Sequence, residues 1–179
     1  ENEIITISDM GVMRVWDIPQ PRSPQFDVVK DIQTGIKSPT SIDYHTDGTD
    51  RWVIVGNEHN DISVIDLNKK IEKSNAVRHL ESVLSIKIDD NHMITASDNG
   101  EVFTWDIDSE ECVNKFANDF RCNSISFNRD ESKLVLAGVK TDKNDKKVYK
   151  IATCDVNDDM WKAIEKPESE DENQKNDYL

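Results

Sequence analysis

Four stretches of the sequence share an aspartate near their end: GVMRVWDI (residues 11–18), DISVIDLN (61–68), EVFTWDID (101–108) and YKIATCDVN (149–157). These aspartates, Asp17, Asp66, Asp106 and Asp155, recur at intervals of 49, 40 and 49 residues. A period of this size is typical of a repeat array, whose units cannot bury their apolar faces alone. We therefore expect function to reside in an assembled surface and not in a local catalytic motif.

Short strand-like segments with turn residues between them fill each unit, and helical periodicity is nearly absent. In the third unit, SVLSIKID (82–89) and HMITAS (92–97) precede the turn SDNGE and then VFTWDI (102–107). Asn99 and Gly100 predict a type I′ hairpin turn, in which both residues have positive φ. The two segments that flank this turn are therefore expected to pair as antiparallel strands.

The repeat divides the chain into units and a tail. A partial unit occupies residues 1–18, and three fuller units occupy residues 25–68, 71–108 and 112–157. Past Asp155 the composition changes, and residues 158–179 form an acidic tail that we expect to be flexible. The apolar cluster at residues 160–164 predicts a strand start or a docking segment inside that tail.

The charge of the chain limits its partners. Its 179 residues include 22 Lys and Arg against 36 Asp and Glu, a net charge of −14. Such a surface repels a phosphate backbone, so no direct nucleic-acid binding is expected. The sequence also lacks a run of about 18 apolar residues, and its start lacks the features of a signal peptide, so no membrane span or secretion signal is predicted.

The cysteines and the known catalytic motifs indicate neither a metal site nor an enzyme. Cys112, Cys122 and Cys154 form no C-x-x-C pair and have no His at metal-ligand spacing, which favours reduced, buried thiols. A reducing compartment, the cytoplasm or the nucleus, is expected. The sequence contains no Gly-rich phosphate loop, H-E-x-x-H or G-x-S-x-G, so we predict no enzymatic activity and no cofactor.

The closing dipeptides carry a resemblance to a known family. Trp16-Asp17 and Trp105-Asp106 are Trp-Asp, whereas Ile65-Asp66 and Cys154-Asp155 keep only the Asp. The chain thus resembles the WD-repeat β-propeller family, in which each repeat of about 40 to 45 residues forms one blade and ends in Trp-Asp. The resemblance implies an all-β fold of blades with four antiparallel strands each, about three and a half to four blades in this chain.

Such a chain would form an incomplete ring. A seven-bladed propeller needs roughly 300 residues at about 40 to 45 residues a blade. The resemblance therefore implies that this chain is the C-terminal part of a larger propeller, or that another chain supplies the missing blades.

The third unit is most similar to the family, with Arg78-His79 in the place of its Gly-His signature. The resemblance implies a buried hydrogen-bond chain within one blade. Its members would be His79, a hydroxyl from Thr95 or Ser97, a turn residue from Asp98 or Asn99, and Trp105. Such a chain is structural, because each polar group satisfies the next where an unpaired group would be costly. The other units lack the His and are expected to depend more on apolar packing.

By the same resemblance, the chain is expected to be a non-catalytic protein–protein interaction scaffold, a subunit of a multiprotein complex. The loops on one rim of such a fold would bind the partner, and the matching segments here are residues 34–38, 58–60, 80–82, 98–100 and 120–123. The candidate partner-binding residues are Glu58, His59, Glu81, Asp98, Phe120 and Arg121. Three alternatives stay open: a propeller that binds histones or basic peptides in a chromatin complex, a ubiquitin-ligase substrate receptor, and a non-catalytic partner subunit of an enzyme.

Overall fold

The protein is all-β. The computed structural model describes residues 3–18, 25–46, 49–68, 71–74, 78–109, 111–157 and 160. These residues form fourteen strands and no α-helix. The strands are β1 (Glu3–Ile7), β2 (Val12–Asp17), β3 (Asp27–Gln33), β4 (Pro39–Thr46), β5 (Arg51–Asn57), β6 (Ile62–Asp66), β7 (Ile71–Ser74), β8 (Val83–Asp89), β9 (His92–Ser97), β10 (Glu101–Asp106), β11 (Glu111–Ala117), β12 (Arg121–Phe127), β13 (Lys133–Thr141) and β14 (Lys147–Asp155).

The strands form four small antiparallel sheets in chain order. Sheet 1 is β1-β2-β3, sheet 2 is β4-β5-β6-β7, sheet 3 is β8-β9-β10-β11 and sheet 4 is β12-β13-β14. Each recurrent Asp is the last residue of its strand, in β2, β6, β10 and β14. The strand that follows pairs with this strand, as β3 does with β2 and β11 with β10. Because of this pairing, each sheet is offset by one strand from the unit that the sequence repeat delimits.

Sheets 2, 3 and 4 share local irregularities in addition to the same strand pairing. The first strand of sheets 2, 3 and 4 has a register shift near its start, at Pro39/Ser41, Val83/Ser85 and Cys122/Ser124. In the same sheets, the residue after the recurrent Asp makes an equivalent backbone hydrogen bond. The N–H groups of Leu67, Ile107 and Val156 donate to the carbonyls of Arg51, Asn91 and Ser132, respectively. The three sheets are therefore variants of one structural unit.

Apolar side chains pack between consecutive sheets. We call the face of a sheet that points along the chain order its forward face, and the opposite face its rear face. Met13 and Val15 on the forward face of sheet 1 contact Val53, Val55 and Ile65 on the rear face of sheet 2. Ile54 and Ile62 of sheet 2 meet Met93, Phe103 and Trp105 of sheet 3, and Ile94 and Val102 of sheet 3 meet Leu134 and Leu136 of sheet 4.

The first strands of sheets 2, 3 and 4 lie side by side, with β8 in contact with both β4 and β12. Hydrogen bonds fix these contacts. The Asp43 carboxylate accepts from the backbone N–H of Ile88 at 2.9 Å, and Ser85 Oγ accepts from the backbone N–H of Ile125 at 3.1 Å. Polar groups thus join the first strands of neighbouring sheets. Apolar contacts join the same sheets at their other strands.

The turn at Asn99-Gly100 differs from the type I′ turn that the dipeptide predicts. β9 and β10 do pair as antiparallel neighbours, but only Gly100 has a positive φ, of 86°. Gly100 N–H donates to the Ser97 carbonyl at 3.1 Å, and the Asn99 side chain accepts from the N–H of Glu101. Asn99 therefore stabilises the turn through its side chain, and a type I turn followed by a left-handed Gly results.

Candidate functional site

A buried hydrogen-bond chain lies on the rear face of sheet 3, where sheet 2 covers it. The indole Nε1–H of Trp105 donates to Thr95 Oγ1 at 2.9 Å, and Thr95 Oγ1 lies 2.7 Å from His79 Nε2. All three side chains are buried. His79 also stacks on Phe103, with ring centroids 4.1 Å apart. The strands β9 and β10 thus bring together Thr95 and Trp105, and the segment before β8 adds His79.

The hydroxyl of Thr95 favours one tautomer of His79. Because Thr95 accepts a hydrogen bond from Trp105, its own single proton is available for Nε2 of His79. A neutral imidazole then carries its proton on Nδ1. That atom lies 4.0 Å from Glu101 Oε2, and both atoms are buried without a hydrogen-bond partner. Glu101 therefore faces the imidazole in the place that the sequence assigned to Asp98 or Asn99.

Burial determines the charge of His79. Desolvation lowers its pKa to about 4, although the nearby Glu101 carboxylate acts in the opposite direction. Burial disfavours the imidazolium because the low-dielectric interior solvates charge poorly. His79 is therefore neutral at pH 7, in keeping with the tautomer described above.

The remaining members of the predicted chain form separate contacts. Ser97 is buried and its Oγ lies 2.6 Å from Asn99 Oδ1, so these two residues stabilise the turn. Asp98 points away from His79 and pairs with Arg121 Nε at 2.8 Å. The predicted set thus divides into the chain His79-Thr95-Trp105, the turn pair Ser97-Asn99 and the inter-sheet ion pair of Asp98.

A second pair of the same kind was not anticipated from the sequence. In sheet 1, Trp16 Nε1–H donates to Thr6 Oγ1 at 2.8 Å, on a rear face that the described residues leave partly exposed. The signal was available, since TISDMG (residues 6–11) matches TASDNG (95–100) in four of six positions and each is followed by Trp at the same distance. In sheets 2 and 4 the register places Val55 and Leu136 where sheet 3 has Thr95. These buried apolar residues replace the polar chain.

The loops at one end of the sheets meet in a continuous hydrogen-bonded path, which we call the rim. It runs through Asp9, Ser38, Glu58, Ser82, Asp98 and Arg121. Backbone N–H groups of Ser38, Glu58 and Asp98 donate to the carbonyls of Asp9, Ser38 and Ser82 at 3.3, 3.1 and 2.9 Å. Ser82 Oγ donates to the Glu58 carbonyl at 3.1 Å, and the Asp98–Arg121 ion pair reaches sheet 4. The rim therefore connects all four sheets.

Two open grooves lie on the rim. The first, of about 540 Å³, is lined by Gly35, Ile36, Lys37, Asn57, His59, Asp61, Ser63 and Arg78. The second, of about 500 Å³, is lined by Asp98, Asn99, Asn118, Asp119, Phe120, Arg121, Val139, Lys140, Thr141 and Lys147. Each lining has more Lys and Arg than Asp and Glu, unlike the chain as a whole, whose net charge is −14.

The candidate partner-binding residues differ in what they can offer to a partner. Glu58, His59, Glu81 and Arg121 are exposed, and Asp98 is partly exposed. Phe120 is the exception, because its side chain is buried among Cys122, Leu136 and Met160 between sheets 3 and 4. The sequence could not separate these cases, since an aromatic residue in a loop fits either role. Phe120 therefore belongs to the core, and the exposed rim is polar.

Residue 160 connects the tail to the core. Met160 is buried in the cluster between sheets 3 and 4, and its carbonyl accepts a hydrogen bond from the buried Thr104 hydroxyl at 3.0 Å. The strand start or docking segment expected at residues 160–164 is described only at Met160. Residues 161–164, with the rest of the tail expected to be flexible, lie outside the described part of the chain.

The described residues give few other indications of chemistry. They contain no group of three or more His, Cys, Asp and Glu able to hold a metal ion, and no helix among them is long and apolar enough to cross a membrane. Cys112, Cys122 and Cys154 are all unpaired, and burial raises the pKa of each thiol, that of Cys122 to about 11. These thiols are therefore protonated and weakly reactive at pH 7.

Comparison with known proteins identifies the fold alone. No model of a protein family matches the chain, and no curated protein matches it. Among solved structures it is similar to the computationally designed Ika4 protein, with a TM-score of 0.64 and 16% identity over 88% of this chain and 87% of that chain. It is also similar to the computationally designed Ika8 protein, with a TM-score of 0.63 and 15% identity over 84% of this chain. The match covers only 42% of the Ika8 chain.

Proposed function

We propose that the chain is a non-catalytic protein–protein interaction scaffold of the WD-repeat β-propeller type, whose rim binds other subunits of a complex. This proposal rests on the structure of the rim. Its loops come from all four sheets, are tied together by hydrogen bonds, and leave exposed polar side chains beside two open grooves. A surface held in this way is ordered before a partner binds, so less conformational entropy is lost on binding.

The blade assignment rests on repeated positions. Each sheet has a strand that ends at the recurrent Asp, and Trp105, Thr95 and His79 form a buried chain of the kind expected for a WD repeat. Consecutive sheets pack face to face around apolar clusters. We assign each sheet to one blade and propose that further blades, from the same or another chain, complete the ring.

The character of the rim favours some partners over others. The grooves carry a local excess of cations, so a partner with exposed carboxylates fits them better than a histone or another basic peptide does. Three of these five cations are engaged already, since Arg78 pairs with Asp61, Arg121 with Asp98 and Lys140 with Asp119, which leaves one Lys in excess in each groove. We therefore place a protein surface of mixed polarity, with acidic side chains among its contacts, at this rim.

A double substitution tests the rim. Glu58→Ala with Arg121→Ala removes two exposed rim side chains. The hydrogen bonds that join Asp9 to Asp98 stay in place, and the ion pair from Asp98 to sheet 4 is lost. The matched control is Glu111→Ala with Arg129→Ala, which removes exposed residues of the same types at the opposite end of the sheets. Tagged full-length chains are purified from their native cells, and the co-purifying subunits are quantified by mass spectrometry.

The expected result is that the rim variant loses at least one stoichiometric subunit that the control keeps, with equal melting temperatures for both variants. Equal recovery of every subunit with both variants would rule out the rim as the partner site. A subunit lost with the control alone would place binding at the opposite end.

A further inference from the structure

The two end sheets expose faces that the interior sheets bury. Register places Met13, Ile62, Val102 and Ile151 at the same position of sheets 1, 2, 3 and 4, on the forward face. The first three are 0%, 1% and 0% exposed because the next sheet covers them, whereas Ile151 is 77% exposed. Tyr149 is exposed beside it, and Val135 and Val139 on β13 extend the same face. The forward face of sheet 4 is thus half of an interface.

The rear face of sheet 1 is the other half. Val53, Met93 and Leu134 occupy one position on the rear faces of sheets 2, 3 and 4 and are at most 1% exposed. Ile4 occupies this position in sheet 1 and is 40% exposed. Trp16, at the position of the buried Trp105, lies beside it. In every internal interface a forward face packs on a rear face, and these two faces are the ones left without a partner sheet in the described chain.

We infer that two copies of this chain associate head to tail, with the forward face of sheet 4 in each copy packed on the rear face of sheet 1 in the other. The pair then contains two equal interfaces built like the three inside each chain. A head-to-tail contact that recurs in this way closes into a ring or continues as a filament, depending on the rotation between copies. In the form that we infer, the two copies close into a pair.

Three substitutions of one kind test the pair. Ile151→Lys blocks the forward face of sheet 4, and Ile4→Lys blocks the rear face of sheet 1. Leu80→Lys is the control, because Leu80 is 73% exposed on the rim and away from both faces. The mass of the full chain and of each variant is measured by sedimentation equilibrium over a range of concentrations.

The expected result is a species of twice 20.5 kDa for the wild-type chain and for Leu80→Lys. Ile151→Lys and Ile4→Lys each place a charge in both interfaces and are expected to weaken association by a factor of at least about 100. An equimolar mixture of these two variants restores part of the association, because one of its two interfaces is then free of both lysines. This rescue is specific to a head-to-tail contact, and the mass of the wild-type species distinguishes a closed pair from a larger ring or a filament.

A wild-type chain that stays monomeric up to about 1 mM would overturn the inference, since any association would then be weaker than about 4 kcal/mol. So would species larger than a pair, association that Ile151→Lys leaves unchanged, or a mixture that shows no rescue. In each of these cases the rim proposal is judged by its own experiment, because that experiment changes Glu58 and Arg121, whereas the pair is tested at Ile4 and Ile151.

Discussion

His79 is a buried imidazole whose ring has a partner on each side. Phe103 stacks on its face, Thr95 bonds to Nε2, and Glu101 faces Nδ1 at 4.0 Å. A protonated ring would need a carboxylate in hydrogen-bond contact to offset desolvation. At 4.0 Å Glu101 gives only part of that compensation, so the neutral imidazole is the more stable form in the folded chain.

This environment makes stability depend on pH in a defined direction. The pKa of His79 is about 4 in the folded chain and about 6.5 when unfolded, so the unfolded chain binds more protons between these values. The free energy of unfolding is therefore highest above about pH 6.5 and falls as the pH drops towards 4. We expect His79 to account for a loss on the order of 2 kcal/mol between pH 7 and pH 5.

Urea unfolding at both pH values measures this loss. His79→Gln is expected to flatten the pH dependence by about that amount, whatever its effect at pH 7. His59→Gln is the matched control, because it makes the same replacement at an exposed position on the rim. Equal slopes for wild type and His79→Gln would show that His79 is accessible to protons in the folded state.

The two Thr–Trp pairs allow the value of a buried hydrogen bond to be compared with an exposed one. Thr95→Val leaves Trp105 Nε1 and His79 Nε2 without their partner in the core and is expected to cost about 1 to 3 kcal/mol. Thr6→Val removes the same bond from Trp16, whose indole can turn to water, and is expected to cost less than about 0.5 kcal/mol. Urea unfolding in dilute solution measures both. Similar costs for both variants would mean that burial does not determine the worth of the bond.

At the scale of the elements, the turn before each strand that ends in a recurrent Asp contains a residue with positive φ. These residues are Gly11, Asn60, Gly100 and Asp145. The sequence predicts such turns from their Gly, Asn and Asp content, and the pairing of the flanking strands follows. It does not predict the turn type at Asn99-Gly100, because that depends on the bond from the Asn99 side chain to Glu101, which competes with a left-handed backbone at Asn99.

Two physical requirements favour glycine at position 100: a positive φ, and the lack of space for a Cβ atom. A Cβ at Gly100 would lie 2.5 Å from the Asn118 carbonyl oxygen and 2.6 Å from that of Phe120, at a φ of 86°. Gly35 has a φ of 75° but no heavy atom within 4 Å of a Cβ. Gly35→Ala should therefore cost about 1 kcal/mol, from the backbone alone. Gly100→Ala should cost at least twice as much in a urea titration, and equal costs would show that the adjacent β11–β12 turn moves aside freely.

At the scale of the whole molecule, the sequence predicts the all-β class and the strands that end at the four aspartates, because a short-period pattern and a repeated residue are local signals. It does not predict which loop side chains are buried. Phe120 was expected on the surface and lies in the core, and Glu101 was not expected to face His79. The burial of Phe120 depends on how sheets 3 and 4 pack together, and the approach of Glu101 to His79 depends on how the segment before β8 folds against β10. The sequence pattern of single strands contains neither kind of information.

The same packing predicts an uneven distribution of local stability. The middle strands β2, β5, β9 and β13 are each paired on both sides. Among the residues that the structure describes, another sheet covers both faces of sheets 2 and 3 but only one face of sheets 1 and 4. Local opening costs more free energy where more apolar contacts must break.

In native-state hydrogen exchange of the dilute chain, we expect amides of β5 and β9 to exchange at least about tenfold more slowly than those of β2 and β13. As the protein concentration rises, exchange in β2 and β13 should slow while that in β5 and β9 stays constant, because a second copy covers only the end faces. Uniform protection across the four strands at dilution would mean that the sheets open as one unit, so that face coverage does not control local opening.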